Sequence, residues 1–179
     1  TELRQVERRC QGRLAEPSAG AIDSQSVKTA TQSQDVGFDR HKKIKGRKRH
    51  LWVDTLGLIV AVVVTAAHVD DREGLVALLT SYFADGVTRL RKLWVDGGYR
   101  AEWLHAWVWS LKRTHKIDLE VVEHIGKGFQ VVPYRWVVER TFAWLLNYRR
   151  HRCDYEVLTA NSEAMIQISM IHLLLKRLA

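Results

Sequence analysis

Three acidic residues, Asp23, Asp96 and Glu139, are the side chains of this sequence best suited to chemistry. Carboxylate oxygens are hard ligands of the kind that Mg²⁺ prefers. Two such ions roughly 4 Å apart can stabilise both the attacking and the leaving oxygen of an in-line substitution at phosphorus. The chain is also basic, with 28 Lys and Arg residues against 20 Asp and Glu, so a polyanionic partner is expected.

Asp96 stands where a predicted strand ends. Leu93-Trp94-Val95 is a short apolar run with β-forming residues, and Gly97-Gly98 interrupts it. In open α/β sheets, ligands bind at the carboxyl ends of the strands. Taken alone, Asp96 is better explained as a turn residue or as a cap for the helix predicted near Ala101. The other two acids favour the chemical interpretation.

Asp23 and Glu139 lie in predicted elements of different kinds. Alanine, isoleucine and valine surround Asp23 in Ala21–Val27, which predicts a first strand. Glu139 is the only acid in a helix predicted from Tyr134 to about Arg150. An ion pair with the arginine four residues earlier is the simpler explanation for Glu139, although such a pair supplies only about 0.3 kcal/mol.

The segment from Gly37 to His50 is the most charged part of the chain. Its basic residues are Arg40, Lys42, Lys43, Lys45, Arg47, Lys48 and Arg49. No acid follows Asp39 within it, so these charges repel one another unless a polyanion is near. We expect a hairpin-like segment that binds the phosphate backbone, with a solvated loop or a localisation signal as alternatives.

The rest of the chain predicts an α/β fold. A hairpin of two β-rich runs is predicted at Leu51–Gly57 and Leu58–Ala67, and the second run is apolar enough for the interior of a sheet. Further elements are predicted as helices from Asp70, from about Ala101 to Arg113 and from Asn161 to Leu178, and as a strand at Ile117–Val122. The last helix is apolar almost all round, which predicts burial or pairing with another subunit.

Composition limits the class of protein. Cys10 and Cys153 are the only cysteines and the eight histidines lack ligand spacing, which excludes a disulfide framework and a zinc ribbon. No signal peptide opens the chain, and no stretch is long and apolar enough to span a bilayer. We therefore expect a cytoplasmic protein with no membrane partner.

Five motifs strongly resemble bacterial insertion-sequence transposases of the DDE type, and the similarity runs from about Ala21 to Ala179. In chain order they are AIDSQSVK (21–28), KGRKRH (45–50), VDTLG (53–57), DGGY (96–99) and RWVVERTFAWL (135–145). Because they are separate and occur in the order found in the family, chance is a poor explanation for them.

The resemblance implies an α/β, ribonuclease-H-like fold, with a mixed sheet of about five strands flanked by helices. It implies that Asp23, Asp96 and Glu139 are catalytic and hold Mg²⁺ or Mn²⁺, with two ions expected. The residues expected to contact DNA are Lys42, Lys43, Lys45, Arg47, Lys48, Arg49 and Arg135. Residues 21–179 would form the catalytic domain, and residues 1–20 a basic arm left from an upstream region.

The activity implied is cleavage of DNA at transposon ends, followed by joining of the 3′-hydroxyl to target DNA. The expected partner is double-stranded DNA, bound by a homodimer or a higher assembly associated with the nucleoid. Two alternatives stay open: a structure-specific nuclease on the same fold, and a non-catalytic basic DNA-binding module. With 22 residues before Asp23 and no helix-turn-helix pattern there, we also expect the chain alone not to select transposon ends.

Overall fold

The computed structural model describes residues 2–83, 89–115, 117–122 and 134–179. Its helices are α1 (Glu2–Cys10), α2 (Asp71–Phe83), α3 (Glu102–His115), α4 (Trp136–Leu146) and α5 (Thr159–Leu178). Its strands are β1 (Ala19–Lys28), β2 (Gly37–Asp39), β3 (Ile44–Asp54), β4 (Ile59–Ala66), β5 (Lys92–Val95) and β6 (Asp118–Val121). Short 3₁₀ turns occur at Gly97–Tyr99 and Arg149–His151.

All of these strands belong to one mixed sheet. Strand β1 pairs antiparallel with β3 and parallel with β5, and β5 pairs parallel with β6. Strand β3 also pairs antiparallel with β4 along most of its length and with the short β2 near its start. Apart from β2, the order is β4-β3-β1-β5-β6. This is the ribonuclease-H-like arrangement that the family resemblance implied.

Alternating side chains of the strands face two separate layers of helices, as the two-residue period of a strand requires. On one face Ile22, Trp52 and Val95 pack with side chains of α2 and α3. On the other face Ala21 and Leu51, among others, pack with α4 and the start of α5. Because both faces are covered, the central strands are almost completely buried.

Strand β3 begins at Ile44, several residues before the start predicted at Leu51. The basic run was predicted to be a hairpin-like segment that binds phosphates and not part of this strand, since charged residues are uncommon in buried strands. In the structure the last four residues of the basic segment, Arg47 to His50, are paired with a strand on each side and are buried. The predicted hairpin with β4 is present, and β3 is longer than expected.

The first residues form helix α1, which lies against the body of the protein. Its Arg8 makes a buried ion pair with Asp54, whose other carboxylate oxygen accepts hydrogen bonds from the backbone N–H groups of Leu56 and Leu58. Arg177 of α5 also lies 3.8 Å from Glu7. Residues 1–20, predicted to be an arm, therefore include a helix that is tied to the turn between β3 and β4.

The last two helices differ in part from their predictions. Helix α4 ends at Leu146 rather than near Arg150, and the 3₁₀ turn at Arg149–His151 follows it. Helix α5 is buried along one side, whereas Ile168 and Leu175 remain about half exposed. Within the described residues, no helix is both long enough and apolar enough to cross a membrane.

Candidate active site

The register of two parallel strands places Asp23 beside Asp96. Ala21 of β1 is paired with Trp94 of β5, so the residues two positions further along each strand lie next to each other. Both aspartates therefore project from the same side of the sheet, near the carboxyl end of β5. The prediction that Asp96 follows a strand directly is confirmed, because β5 ends at Val95.

Each aspartate has one oxygen held by a backbone N–H group. Asp23 Oδ1 accepts a hydrogen bond from Ser24 N at 2.7 Å, and Asp96 Oδ1 accepts one from Gly98 N at 2.9 Å. The second bond caps the 3₁₀ turn at Gly97–Tyr99, so Asp96 is also the turn residue that the simpler interpretation offered. An added Cβ at Gly98 would lie 3.0 Å from this oxygen, which explains why glycine suits the position.

Helix α4 brings the third acid to the same place. Val138 and Phe142 of this helix are buried against the sheet, and Glu139, on another side of it, has a side chain that is 58% exposed. Its position in the first turn of α4 places the carboxylate near Arg135, which lies within 4 Å of both aspartates. The three acids therefore come from a strand, a strand end and a helix, as the resemblance implied.

Arg135 lies at the centre of the three acids. Its Nη2 atom is 3.9 Å from Asp23 Oδ2, 3.8 Å from Asp96 Oδ2 and 3.5 Å from Glu139 Oε1. The ion pair between Arg135 and Glu139 that the simpler interpretation predicted is present, but it is one part of a cluster of four charges. The structure thus brings the three predicted acids and one predicted DNA-contacting residue together.

Burial and a neighbouring negative charge act on Asp23. Burial raises the pKa of its carboxyl to about 6, the Ser24 hydrogen bond opposes that rise, and the charge of Asp96 adds to it. The positive charges of Arg135 and Lys42 lower the pKa of Asp23 again. A carboxyl with these neighbours is a functional-site candidate, because burial and a like charge both disfavour its ionised form unless a cation is near.

Two aromatic residues near the site were given no role by the sequence. Tyr134, which precedes Arg135, stacks on Trp94 of β5 with ring centroids 4.4 Å apart and planes inclined by 9°. Tyr99 is buried under the aspartates, and the pKa of its hydroxyl is raised well above the usual value by burial and by the charges of Asp23, Asp71 and Asp96. Tyr99 is the last residue of the DGGY motif (96–99), so the motif could have identified this residue from the sequence.

The basic residues predicted to contact DNA divide into two groups. Lys42, Lys43 and Lys45 are exposed, and Lys42 Nζ lies 3.4 Å from the backbone oxygen of Ser24, next to Asp23. Their turn is held in place by Asp39, whose Oδ1 accepts hydrogen bonds from the N–H groups of His41 and Lys42. All three lysines therefore face solvent, and Lys42 lies beside Asp23.

Arg47, Lys48 and Arg49 form the second group, and all three are buried. Arg47 donates to the backbone oxygens of Gln34, Glu156 and Val157 and lies 3.5 Å from Asp154. Lys48 pairs with Asp71, and Arg49 donates to the backbone oxygen of His151. Because these three side chains are buried and each has a partner within the protein, they are less accessible to DNA than the exposed lysines.

The donor set at the site fits a hard divalent cation. Each aspartate directs its second oxygen towards Arg135, and oxygen ligands of this kind, completed by water, suit Mg²⁺ or Mn²⁺. In the described part of the chain, no group of three or more His, Cys, Asp or Glu side chains is close enough to hold an ion as it stands. At this site the guanidinium of Arg135 lies between the carboxylates.

The sheet order and the converging acids define a ribonuclease-H-like protein with an Asp-Asp-Glu cluster. Residues 14–174 match the family model described as the transposase DDE domain. The chain therefore belongs to the family of transposases with a DDE domain. This match spans nearly the whole length of the chain.

Two known proteins illustrate the similarity. A putative transposase for insertion sequence element IS402 from Burkholderia cepacia is 32% identical over 117 residues, which cover 62% of this chain and 54% of that protein. The chain thus spans about half the length of the curated relative that it matches. The structure of the piggyBac transposase synaptic complex with hairpin DNA aligns over 66% of this chain and 25% of that chain, at 14% identity and a TM-score of 0.43.

Proposed function

We propose that this chain carries the catalytic domain of a DNA transposase, with Asp23, Asp96 and Glu139 as the residues that hold two divalent cations. The observation that carries the proposal is the convergence of these three carboxylates on one point of a family-typical fold. When bound, Mg²⁺ or Mn²⁺ would stabilise the charge that develops on the attacking and leaving oxygens.

The reaction proposed has two substitutions at phosphorus. In the first, a water oxygen bonds to phosphorus at the transposon end, the bond from phosphorus to the 3′ oxygen breaks, and the water proton passes to that oxygen. In the second, the freed 3′-hydroxyl bonds to a phosphorus of target DNA, whose own 3′ oxygen leaves and takes the proton. Both steps need the same ligands, so one site serves both.

The protein's own contribution is to place substrate and cations. The backbone N–H groups of Ser24 and Gly98 fix one oxygen of each aspartate, which leaves the other oxygen oriented towards the site. Lys42 lies beside this site, and together with the exposed Lys43 and Lys45 it would hold the phosphates of the duplex. Arg135 would join them once the carboxylates are neutralised by cations.

The test replaces each acid with its amide: Asp23→Asn, Asp96→Asn and Glu139→Gln. With Mg²⁺ or Mn²⁺, each variant is expected to lose cleavage of labelled DNA by at least about 100-fold, a loss of roughly 3 kcal/mol in transition-state stabilisation. Circular dichroism should show that each variant is still folded. A folded variant that cleaves at nearly the wild-type rate removes that residue from the site.

A strand-transfer assay separates the transposase from its closest alternative. DNA that carries the element's terminal repeats is incubated with a plasmid target, and joined products are counted by sequencing. Cleavage with joining supports a transposase, whereas cleavage without joining in any condition indicates a nuclease. Tight binding with neither reaction indicates a non-catalytic module.

A further inference from the structure

Arg135 occupies the position towards which all three acids point. A single atom, Nη2, lies within 4 Å of a carboxylate oxygen of Asp23, Asp96 and Glu139. One guanidinium cannot balance three carboxylates, so the cluster keeps an excess of negative charge. That excess makes the site attractive to further cations.

The contacts of Arg135 are those of an ion held by charge and not by hydrogen bonds. All three distances, 3.5 to 3.9 Å, exceed the 2.7 to 2.9 Å of charge-assisted hydrogen bonds. Its Nε atom is also buried and, among the described residues, has no hydrogen-bond acceptor. A guanidinium that is buried and incompletely bonded is not locked into this place.

The backbone explains why the side chain reaches the centre. Tyr134 has a positive φ of 71°, which is rare for residues other than glycine, and its ring stacks on Trp94, two residues before Asp96. Arg135 directly follows this stacked residue and stands at the N-cap position of α4, four positions before Glu139. The stack therefore fixes the start of α4 against β5 and directs Arg135 towards the acids.

We propose that Arg135 is a placeholder cation, which holds the three carboxylates together in the metal-free protein and turns away from them when divalent cations bind. The inference rests on the proposed metal site. A guanidinium at the centre of the acids and a divalent ion bound by the same oxygens would repel each other strongly. Metal binding therefore competes with Arg135 and releases its planar set of donors towards a substrate phosphate.

The first test uses the wild-type protein and the arginine reagent phenylglyoxal. In EDTA, Arg135 is expected to react slowly, because its residue surface is only 8% exposed. Addition of Mg²⁺ should raise its labelling rate several-fold, as measured by mass spectrometry of the peptide that contains it. Arg140, which lies on the same helix and stacks on Trp136 and Trp144, should label at the same rate with and without Mg²⁺. An unchanged rate at Arg135 would overturn the proposal.

The second test measures the affinity for Mn²⁺ by calorimetry, so it does not depend on activity. The Arg135→Gln variant is expected to bind Mn²⁺ about tenfold more tightly than the wild type, because the competing charge is gone. It should also unfold at a lower temperature in EDTA, where the carboxylates repel one another. Arg140→Gln is the matched control and should leave the Mn²⁺ affinity unchanged.

Failure of this inference can be distinguished from failure of the proposed site. If Asp23→Asn and Asp96→Asn lose Mn²⁺ binding while Arg135→Gln binds it equally or more weakly, the site stands and Arg135 is a supporting residue instead. If neither aspartate variant changes Mn²⁺ binding, the metal site is wrong and the placeholder role fails with it.

Discussion

At the scale of single residues, burial decides what each basic side chain does. Lys45 and Arg47 are two positions apart in the same strand, yet Lys45 is exposed and Arg47 is fully buried. The sequence could not separate them, because the contacts of Arg47 are with residues far along the chain, such as Asp154 and Ser162. A count of charges therefore overstated the surface available to DNA.

Replacement of these two residues should give opposite results. Arg47→Ala removes one partner of a buried ion pair and leaves Asp154 without its cation, which typically costs 3 to 5 kcal/mol, so urea unfolding should show a loss of about that size. Lys45→Ala should leave the free energy of unfolding within about 0.5 kcal/mol and weaken DNA binding. If both variants keep wild-type stability, Arg47 is not the structural residue described above.

Two buried histidines predict how stability depends on pH. Burial lowers the pKa of His50 to about 4 and that of His151 to about 4, from an ordinary 6.5. Between pH 6.5 and 4 the unfolded chain binds protons at these histidines that the folded protein does not, so their contribution to the free energy of unfolding should fall as the pH falls. The raised pKa of Asp23 acts in the opposite direction over part of this range. The size for His50 is on the order of 3 kcal/mol.

Urea unfolding at several pH values between 7 and 4 measures this slope. The His50→Gln variant should show a flatter dependence than the wild type, because one of the two groups is gone. His105→Gln, at an exposed position of α3, is the control and should follow the wild type. Equal slopes in all three proteins would contradict the assignment of His50.

At the scale of elements, the sequence predicted the kinds of elements well and their ends less well. The continuous apolar run of β4 and the apolar patterns of α2, α3 and α5 identified these elements correctly. Strand β3 was predicted too short, because its first half is charged and only tertiary partners make it a buried strand. Helix α4 was predicted too long, because the basic residues after Leu146 form a separate 3₁₀ turn.

The contact between α2 and β3 depends on a glycine inside the helix. A Cβ at Gly74 would lie 2.1 Å from the ring of His50, which is itself fixed by a hydrogen bond to Thr65. Alanine gains about 1 kcal/mol in helix propensity over glycine, but overpacking of a core typically costs 1 to 3 kcal/mol. We therefore expect Gly74→Ala to destabilise the protein.

Thermal unfolding checks the sign of this effect. Ala164→Gly, at an exposed position of α5, changes helix propensity without changing a core contact. It therefore measures how much helix propensity alone contributes to stability in this protein. If Gly74→Ala raises the melting temperature, the helix can move away from β3 and the contact is looser than described.

At the scale of the whole molecule, the candidate site exists only because distant parts of the chain meet. The pairing of Ala21 with Trp94 aligns the two aspartates, and the packing of α4 on the sheet adds Glu139. The resemblance to a family implied which three acids belong together, but spacing alone could not. The place of Arg135 at their centre could not be predicted either, because it depends on three elements at once.

The net charge of the whole molecule, +8, is the basis for a prediction about the salt dependence of DNA binding. Because Arg47, Lys48 and Arg49 are buried, the exposed Lys42, Lys43 and Lys45 are the residues of the segment predicted to contact DNA that remain available to release its counterions. On duplex DNA each phosphate contact contributes about 0.9 to the slope of log affinity against log salt. Replacement of Lys42, Lys43 and Lys45 with glutamine should therefore lower this slope by up to about 3.

Fluorescence anisotropy with a labelled duplex at several salt concentrations gives this slope. Lys176→Gln, at an exposed position of α5, also removes one positive charge but lies on a different element, so its slope should change by less than one contact. The decrease should be the same for unrelated duplex sequences, because phosphate contacts carry no sequence information. A triple variant with the wild-type slope would show that DNA approaches the carboxylates from a direction that avoids these lysines.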